Sequence, residues 1–327
     1  MFFITQISNT MKRFVLAAFV TVFTIAGTAA QTPEVTKQTY IYSVKGPDTL
    51  RLDRYDFPSL SSARKPCLIF MFGGGFFTGT RDNKAYDPYF QYFARQGYSV
   101  VSIDYRLGMK TFIQQKDKSI DRFARDFVRS IGMAVEDLYD ATNFLLAHTD
   151  KWGIDSSLVI TSGSSAGAIS VLHGEYGICN GDSLSRRLPE GFNYAGVISF
   201  AGAIFADGPL EWKKNPAPIQ FFHGTADGNV PYAAVGDSLG WFYGPDYIAA
   251  VLTGMKVPHY FYSVEDATHR IAVSPMNDNQ AEILVFLDKL VKQKQKLIIN
   301  TSVDPLDAPD RKKDFTIEDY IKNNFGN

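Results

Sequence analysis

Past residue 31 the chain alternates short, β-branched apolar runs with stretches whose apolar residues recur at helical spacing. Residues 40–44 and 49–55 flank Gly46, Pro47 and Asp48, which predicts an antiparallel hairpin around a turn. Residues 67–72 form an apolar run that ends at three glycines. Residues 98–103, 158–161, 195–200, 219–222 and 260–264 predict further strands. Ala134, Leu138, Ala141 and Leu145 share one helical face, and Ile283, Phe286, Leu287 and Leu290 mark a last amphipathic helix over 279–292. Strands alternating with helices predict an α/β fold: a mostly parallel central sheet, helices on both faces, and the opening hairpin as an antiparallel edge. No Gly/Ser- or Pro-rich linker divides residues 31–296, so one domain is expected there. Residues 297–327 are polar and charged and read as a surface extension, with Thr316 and Asp319 placed to cap a short final helix.

The N-terminus departs from this pattern. Lys12 and Arg13 precede an apolar run over 14–25, and the small residues Gly27, Thr28, Ala29 and Ala30 follow. That order is the signature of a secretory signal with cleavage after Ala30, so residues 1–30 are expected to be removed. The run is too short for a membrane span, which needs ~20 apolar residues. The mature chain is therefore expected to be secreted or periplasmic, without an integral span.

Composition narrows the remaining classes. Hydrophobic residues at 45% and charged residues at 20% suit an ordinary globular core. A formal net charge of −1 gives no electrostatic reason to expect nucleic acid or an anionic membrane surface. Cys67 and Cys179 are too few for a disulfide scaffold. Both are expected at the end of the sheet away from the glycine-bearing loops, and the sequence leaves their pairing open. No His/Cys/Asp cluster has metal-ligand spacing and no cofactor motif occurs, so neither a metal nor a cofactor is expected.

Four segments carry chemistry. Gly163-Ser164-Ser165-Ala166-Gly167 follows a strand and precedes an apolar helix. A strand-to-helix turn of this shape projects the central serine Oγ outward, which makes Ser165 the candidate nucleophile. The helix N-terminus facing it favours developing negative charge. Gly73-Gly74-Gly75, after Phe72, supplies flexible backbone at about 0.5–1 kcal/mol per glycine relative to Ala. Such a cost is expected where amides must face a ligand: the N–H groups of Gly74 and Gly75, with that of Ala166, form a candidate oxyanion hole. A phosphate loop is disfavoured, because neither the Gly-Lys-Ser/Thr ending nor G-x-G-x-x-G spacing is present. Asp227 follows the strand at 219–222, and Pro231 is suited to open the next helix. His269 lies in a loop after the strand at 260–264. The other histidines, at 148, 173, 223 and 259, fall on helices or in or beside strands.

The order Ser165, Asp227, His269 and the elbow around Ser165 resemble α/β-hydrolases of the carboxylesterase/lipase group. Phe72-Gly73-Gly74-Gly75-Phe76 resembles that group's HGGG-type segment, with Phe72 in place of the usual histidine. Asp104-Tyr105-Arg106-Leu107 and Trp152-Gly153-Ile154-Asp155 resemble stretches common in such esterases, whereas residues 223–227 look more like dienelactone hydrolases and prolyl peptidases. The resemblance covers about residues 40–292. It implies a serine ester hydrolase in which His269 is the base, Asp227 orients it, and a small-molecule ester is the substrate; export and a net charge near zero suit an acylated carbohydrate or another small extracellular ester. A peptidase, an acyltransferase and a non-catalytic binding module remain alternatives on the same fold. Sequencing the N-terminus of exported protein tests the first expectation: Gln31 should be the first residue, and Met1 or Met11 would refute it.

Overall fold

The computed structural model describes residues 33–58, 61–237 and 240–326; the expected signal segment lies outside them. Among the described residues, twelve strands form two sheets. They are β1 (Thr36–Lys45), β2 (Asp48–Asp56), β3 (Lys65–Met71), β4 (Ser99–Ile103), β5 (Ile154–Ser164), β6 (Gly196–Phe200), β7 (Ile204–Ala206), β8 (Ile219–Gly224), β9 (Ala234–Asp237), β10 (Gly240–Tyr243), β11 (His259–Val264) and β12 (Ile298–Val303). The main sheet has nine strands in the order β1-β2-β4-β3-β5-β6-β8-β11-β12. β1 pairs β2 and β2 pairs β4 antiparallel, and every other pairing in that sheet is parallel. The opening hairpin is thus the antiparallel edge that its turn residues predict.

Helices α1 (Asp87–Arg95), α2 (Lys110–Gln114), α3 (Ile120–Leu146), α4 (Thr149–Trp152), α5 (Ala166–Asn180), α6 (Pro245–Gly254), α7 (Pro275–Asp278), α8 (Gln280–Val285) and α9 (Ile317–Phe325) complete the fold. α8 continues as a π-helical turn, Phe286–Lys292, which buries Phe286, Leu287 and Leu290 as the amphipathic pattern requires. Every residue of β4 and β6 is buried. Successive side chains point to opposite faces of a strand, so both faces of the central sheet are covered.

Two expectations are corrected, and the pairing that the sequence leaves open is resolved. The segment after 297 is no surface appendage. β12 pairs with β11 in register Tyr260↔Ile299 and Phe261↔Asn300, and α9 buries Ile317, Tyr320 and Phe325. Tyr320 stacks on Phe242 at 4.7 Å between ring centroids, and Phe325 packs against Phe77, Phe112 and Phe123. The Thr316–Asp319 capping box does form at the start of α9. Pro231 opens no helix: β9 and β10 intervene as a hairpin, pinned where Gly244 N and Asp246 N donate to the carbonyls of Ala233 and Tyr232, and α6 begins only at Pro245. Cys67 and Cys179 are both free. Cys67 sits in the middle of the sheet between Ser99 and Val159, while Cys179 on α5 faces Glu175 and the Asn215 carbonyl. Burial pushes both thiols up, which leaves them inert.

The small sheet β7-β10-β9 leaves no pattern in the sequence, its strands being only three or four residues long. The burial of Tyr320 makes a quantitative expectation. Tyr320→Ala should cost about 3–5 kcal/mol by denaturant unfolding, as large-to-small aromatic substitutions do. Leu306→Ala, at a side chain 94% exposed, should change stability by no more than about 0.5 kcal/mol. Equal, small effects would show that α9 contributes nothing to the core.

Candidate active site

The elbow between β5 and α5 sets Ser165 at φ 51, ψ −116, outside the regions that L-residues ordinarily occupy. The turn is tight enough to demand its glycines. A Cβ on Gly163 would lie 2.3 Å from the Gly167 carbonyl oxygen, and one on Gly167 would lie 2.1 Å from that of Met71. Ser165 N donates to Phe200 O at 2.8 Å, which ties the elbow to the end of β6. Ser164 is buried, and its Oγ donates to Ala272 O at 2.8 Å. Of the two serines, Ser165 is the one whose hydroxyl meets the His269 ring.

β8 and β11 are neighbours in the sheet, so the turns that follow them lie side by side. Thr225 N donates to Val264 O and Ala226 N to Ala267 O, which stitches the two turns together. This brings Asp227 Oδ2 to 2.8 Å from His269 Nδ1, while His269 Nε2 lies 2.8 Å from Ser165 Oγ. The Asp227 side chain is fully buried and that of His269 is 22% exposed. Asp227 Oδ1 accepts from Asn229 N at 2.8 Å and Val230 N at 3.0 Å, fixing the carboxylate plane. Burial alone would raise the Asp227 carboxyl. His269 and His223 outweigh it and hold the group well below the usual carboxylate range. His223 carries no signal of such a role in the sequence, yet its Nε2 lies 3.1 Å from Val230 O and 3.3 Å from Asp227 Oδ2. Nothing separated it in the sequence from an ordinary strand histidine.

The two carboxylates nearest His269 in sequence are engaged elsewhere. Glu265 pairs with Lys313, and Asp266 accepts from Arg311 N at 3.1 Å. Both partners belong to the C-terminal segment.

The glycine loop lies against the elbow, with Ser165 Cβ only 3.2 Å from where a Gly73 Cβ would stand. Three of its carbonyls are occupied: Phe72 O accepts from the Tyr105 hydroxyl at 2.7 Å, Gly74 O from Phe77 N and Thr78 N, and Phe76 O from Met109 N. Gly73 N donates to the Tyr86 hydroxyl at 3.3 Å. The amides of Gly74, Gly75 and Ala166, in contrast, donate to no protein acceptor among the described residues. Gly74 has φ +131, and a Cβ there would meet Thr78 O at 2.2 Å. Phe72 stacks on Tyr105 at 4.4 Å, filling the place of the expected histidine with packing. Arg81 closes the far end of the loop, its Nη1 lying 3.1 and 3.0 Å from the two Asp104 carboxylate oxygens.

Ser165, His269, Gly74 and Gly75 line a cleft of about 340 Å³. Asn229, Asn323 and Asn324 line it too, the last two from α9, and none of the three carries a sequence signal. Among the described residues no group of three His, Cys, Asp or Glu could hold a metal ion, and no helix is long and apolar enough to cross a membrane.

The carboxylesterase family matches residues 25–173, a stretch that contains the glycine loop and the elbow and ends short of Asp227 and His269. No curated protein matches the chain by sequence. Among solved structures, apo esterase 2 of Thermogutta terrifontis superposes with a TM-score of 0.55 at 20% identity, covering 79% of this chain and 94% of the other. The same esterase with propionate bound gives 0.55 at 19% identity, covering 80% and 95%. With butyrate bound it gives 0.55 at 18%, again covering 80% and 95%. At such identities the likeness speaks to the fold alone, and the family match covers the half of the chain that holds the glycine loop and the elbow. The chain has the fold of α/β-hydrolase esterases and is similar to the carboxylesterase family over residues 25–173.

Proposed function

We propose that this chain hydrolyses short-acyl esters through an acyl-enzyme on Ser165, with His269 as base and Asp227 as its orienting acid. The observation that carries the reading is the continuous pair of 2.8 Å contacts from Ser165 Oγ through the His269 ring to Asp227 Oδ2. An ionised Asp227 accepts the Nδ1 proton, so Nε2 is left as the basic nitrogen facing the serine. It takes the Ser165 proton as Oγ attacks the ester carbonyl, then returns it to the departing alcohol. The amides of Gly74, Gly75 and Ala166 are positioned to stabilise the oxyanion, at the positive end of α5. Water then repeats the sequence on the acyl-enzyme.

Cleft size and lining support a small substrate. At about 340 Å³ the space is at the low end of the ~300–1,000 Å³ usual for ligand pockets. Its asparagine rim suits an acyl group carried on a hydroxyl-rich alcohol, such as an acylated carbohydrate. Propionate and butyrate in the Thermogutta esterase structures fit the same range of acyl lengths. The signal-like N-terminus adds export to the reading, so the ester would be met outside the cytoplasm.

Two expectations follow. Ser165→Ala should lower kcat on the order of a million-fold and Asp227→Asn on the order of 10⁴-fold at neutral pH. Glu265→Gln and Asp266→Asn should stay near wild type, since each loses only a partly exposed ion pair. An active Asp227→Asn beside a collapsed Glu265 or Asp266 variant would make the assignment wrong. In an acyl series, kcat/KM should be higher for acetyl, propionyl and butyryl esters than for octanoyl esters. The reverse order would contradict the small-substrate reading.

A further inference from the structure

The C-terminal helix reaches the cleft from a part of the chain beyond the family match, and it touches the turn that carries Asp227. Asn324 Nδ2 donates to Asn229 O at 2.8 Å and to Tyr320 O at 2.9 Å, while Asn229 Nδ2 donates back to Asn324 Oδ1 at 3.2 Å. Asn323 Nδ2 donates to Gly228 O. Both carbonyls of the turn between Asp227 and Val230 are therefore held by side chains of α9. The amides of the same turn hold Asp227 Oδ1. On its other side α9 anchors through Phe325, which is buried against Phe77 and lies 3.7 Å from where a Gly75 Cβ would stand.

We propose that Asn324, seconded by Asn323, is a positioning residue for catalysis: the amide clamp on Gly228 and Asn229 sets the carboxylate of Asp227 for its bond to His269. The inference rests on the reading of Asp227 as the orienting acid. The physical reason is the softness of a turn. A glycine-containing loop has its shape set by few internal bonds, and Gly228 has no side chain of its own to pack. Without the clamp the turn is free to relax, and Asp227 Oδ2 moves with it. Misplacement by about 1 Å costs on the order of 100-fold in rate. The effect should fall on kcat for a simple acetyl ester without a hydroxyl-rich alcohol, because the amide of Asn324 is committed to the turn and acts through the acid and the base.

The test is a double-mutant cycle on the full-length enzyme with 4-nitrophenyl acetate. Asn324→Ala should lower kcat roughly ten- to a hundred-fold, with KM near wild type and a retained cooperative unfolding transition. In an Asp227→Asn background the same substitution should change kcat less than about twofold, because the group it acts through is already gone. Asn323→Ala, at a more exposed position, should show a smaller loss with the same non-additivity. Wild-type kcat in Asn324→Ala overturns the proposal, and so does an equal loss in both backgrounds, which would make the effect independent of Asp227. An Asp227→Asn enzyme that keeps most of its activity overturns the acid assignment itself and the clamp's role with it.

Discussion

The backbone of Ser165 is the constraint on which the rest of the site depends. A non-glycine residue at φ 51, ψ −116 carries strain of about 1–3 kcal/mol, and it persists only where its surroundings over-determine it. Here they do. β5 is held between β3 and β6 by parallel ladders, Ser165 N is committed to Phe200 O, and Ile169 N closes the first turn of α5 onto Ser165 O. The neighbouring Ser164 hydroxyl reaches Ala272 O in the turn that begins with His269. Ser165 and the His269 that faces it are thereby fastened to each other through a second, buried serine.

Sheet topology supplies the remaining geometry. Because β8 and β11 are adjacent and parallel, their C-terminal turns emerge together, as open α/β sheets generally place functional groups. Asp227 and His269 are separated by 42 residues in sequence yet share a hydrogen bond. Glu265 and Asp266 lie nearer in sequence but are turned toward Lys313 and Arg311. The C-terminal segment thus touches this region twice: it engages Glu265 and Asp266, and its Asn323 and Asn324 hydrogen-bond the turn that carries Asp227.

What could be read in advance followed from strong local signals. Buried parallel strands announce themselves as apolar runs, so β3, β4, β6 and β8 were visible, and the glycines around Ser165 are demanded by backbone contacts that leave no room for a Cβ. The unread features depend on long-range partners. β12 hides its β-branched Ile298, Ile299, Thr301 and Val303 among charged neighbours and is only half buried. α9 is polar on balance, and its three buried residues gain meaning only beside Phe77, Phe112 and Phe242. Pro231 looked like a helix start because its fixed φ suits one, but the chain there is drawn into the β9–β10 hairpin. His223, Asn323 and Asn324 are defined wholly by what they touch.

The central claim is that the strained serine is the nucleophile. Peptide mass spectrometry after treatment with a fluorophosphonate tests it most directly, because the reagent bonds only to an activated hydroxyl. The account predicts a single adduct on Ser165, abolished when His269 is replaced by Ala. An adduct on Ser164, or labelling of Ser165 that is indifferent to His269, would contradict it.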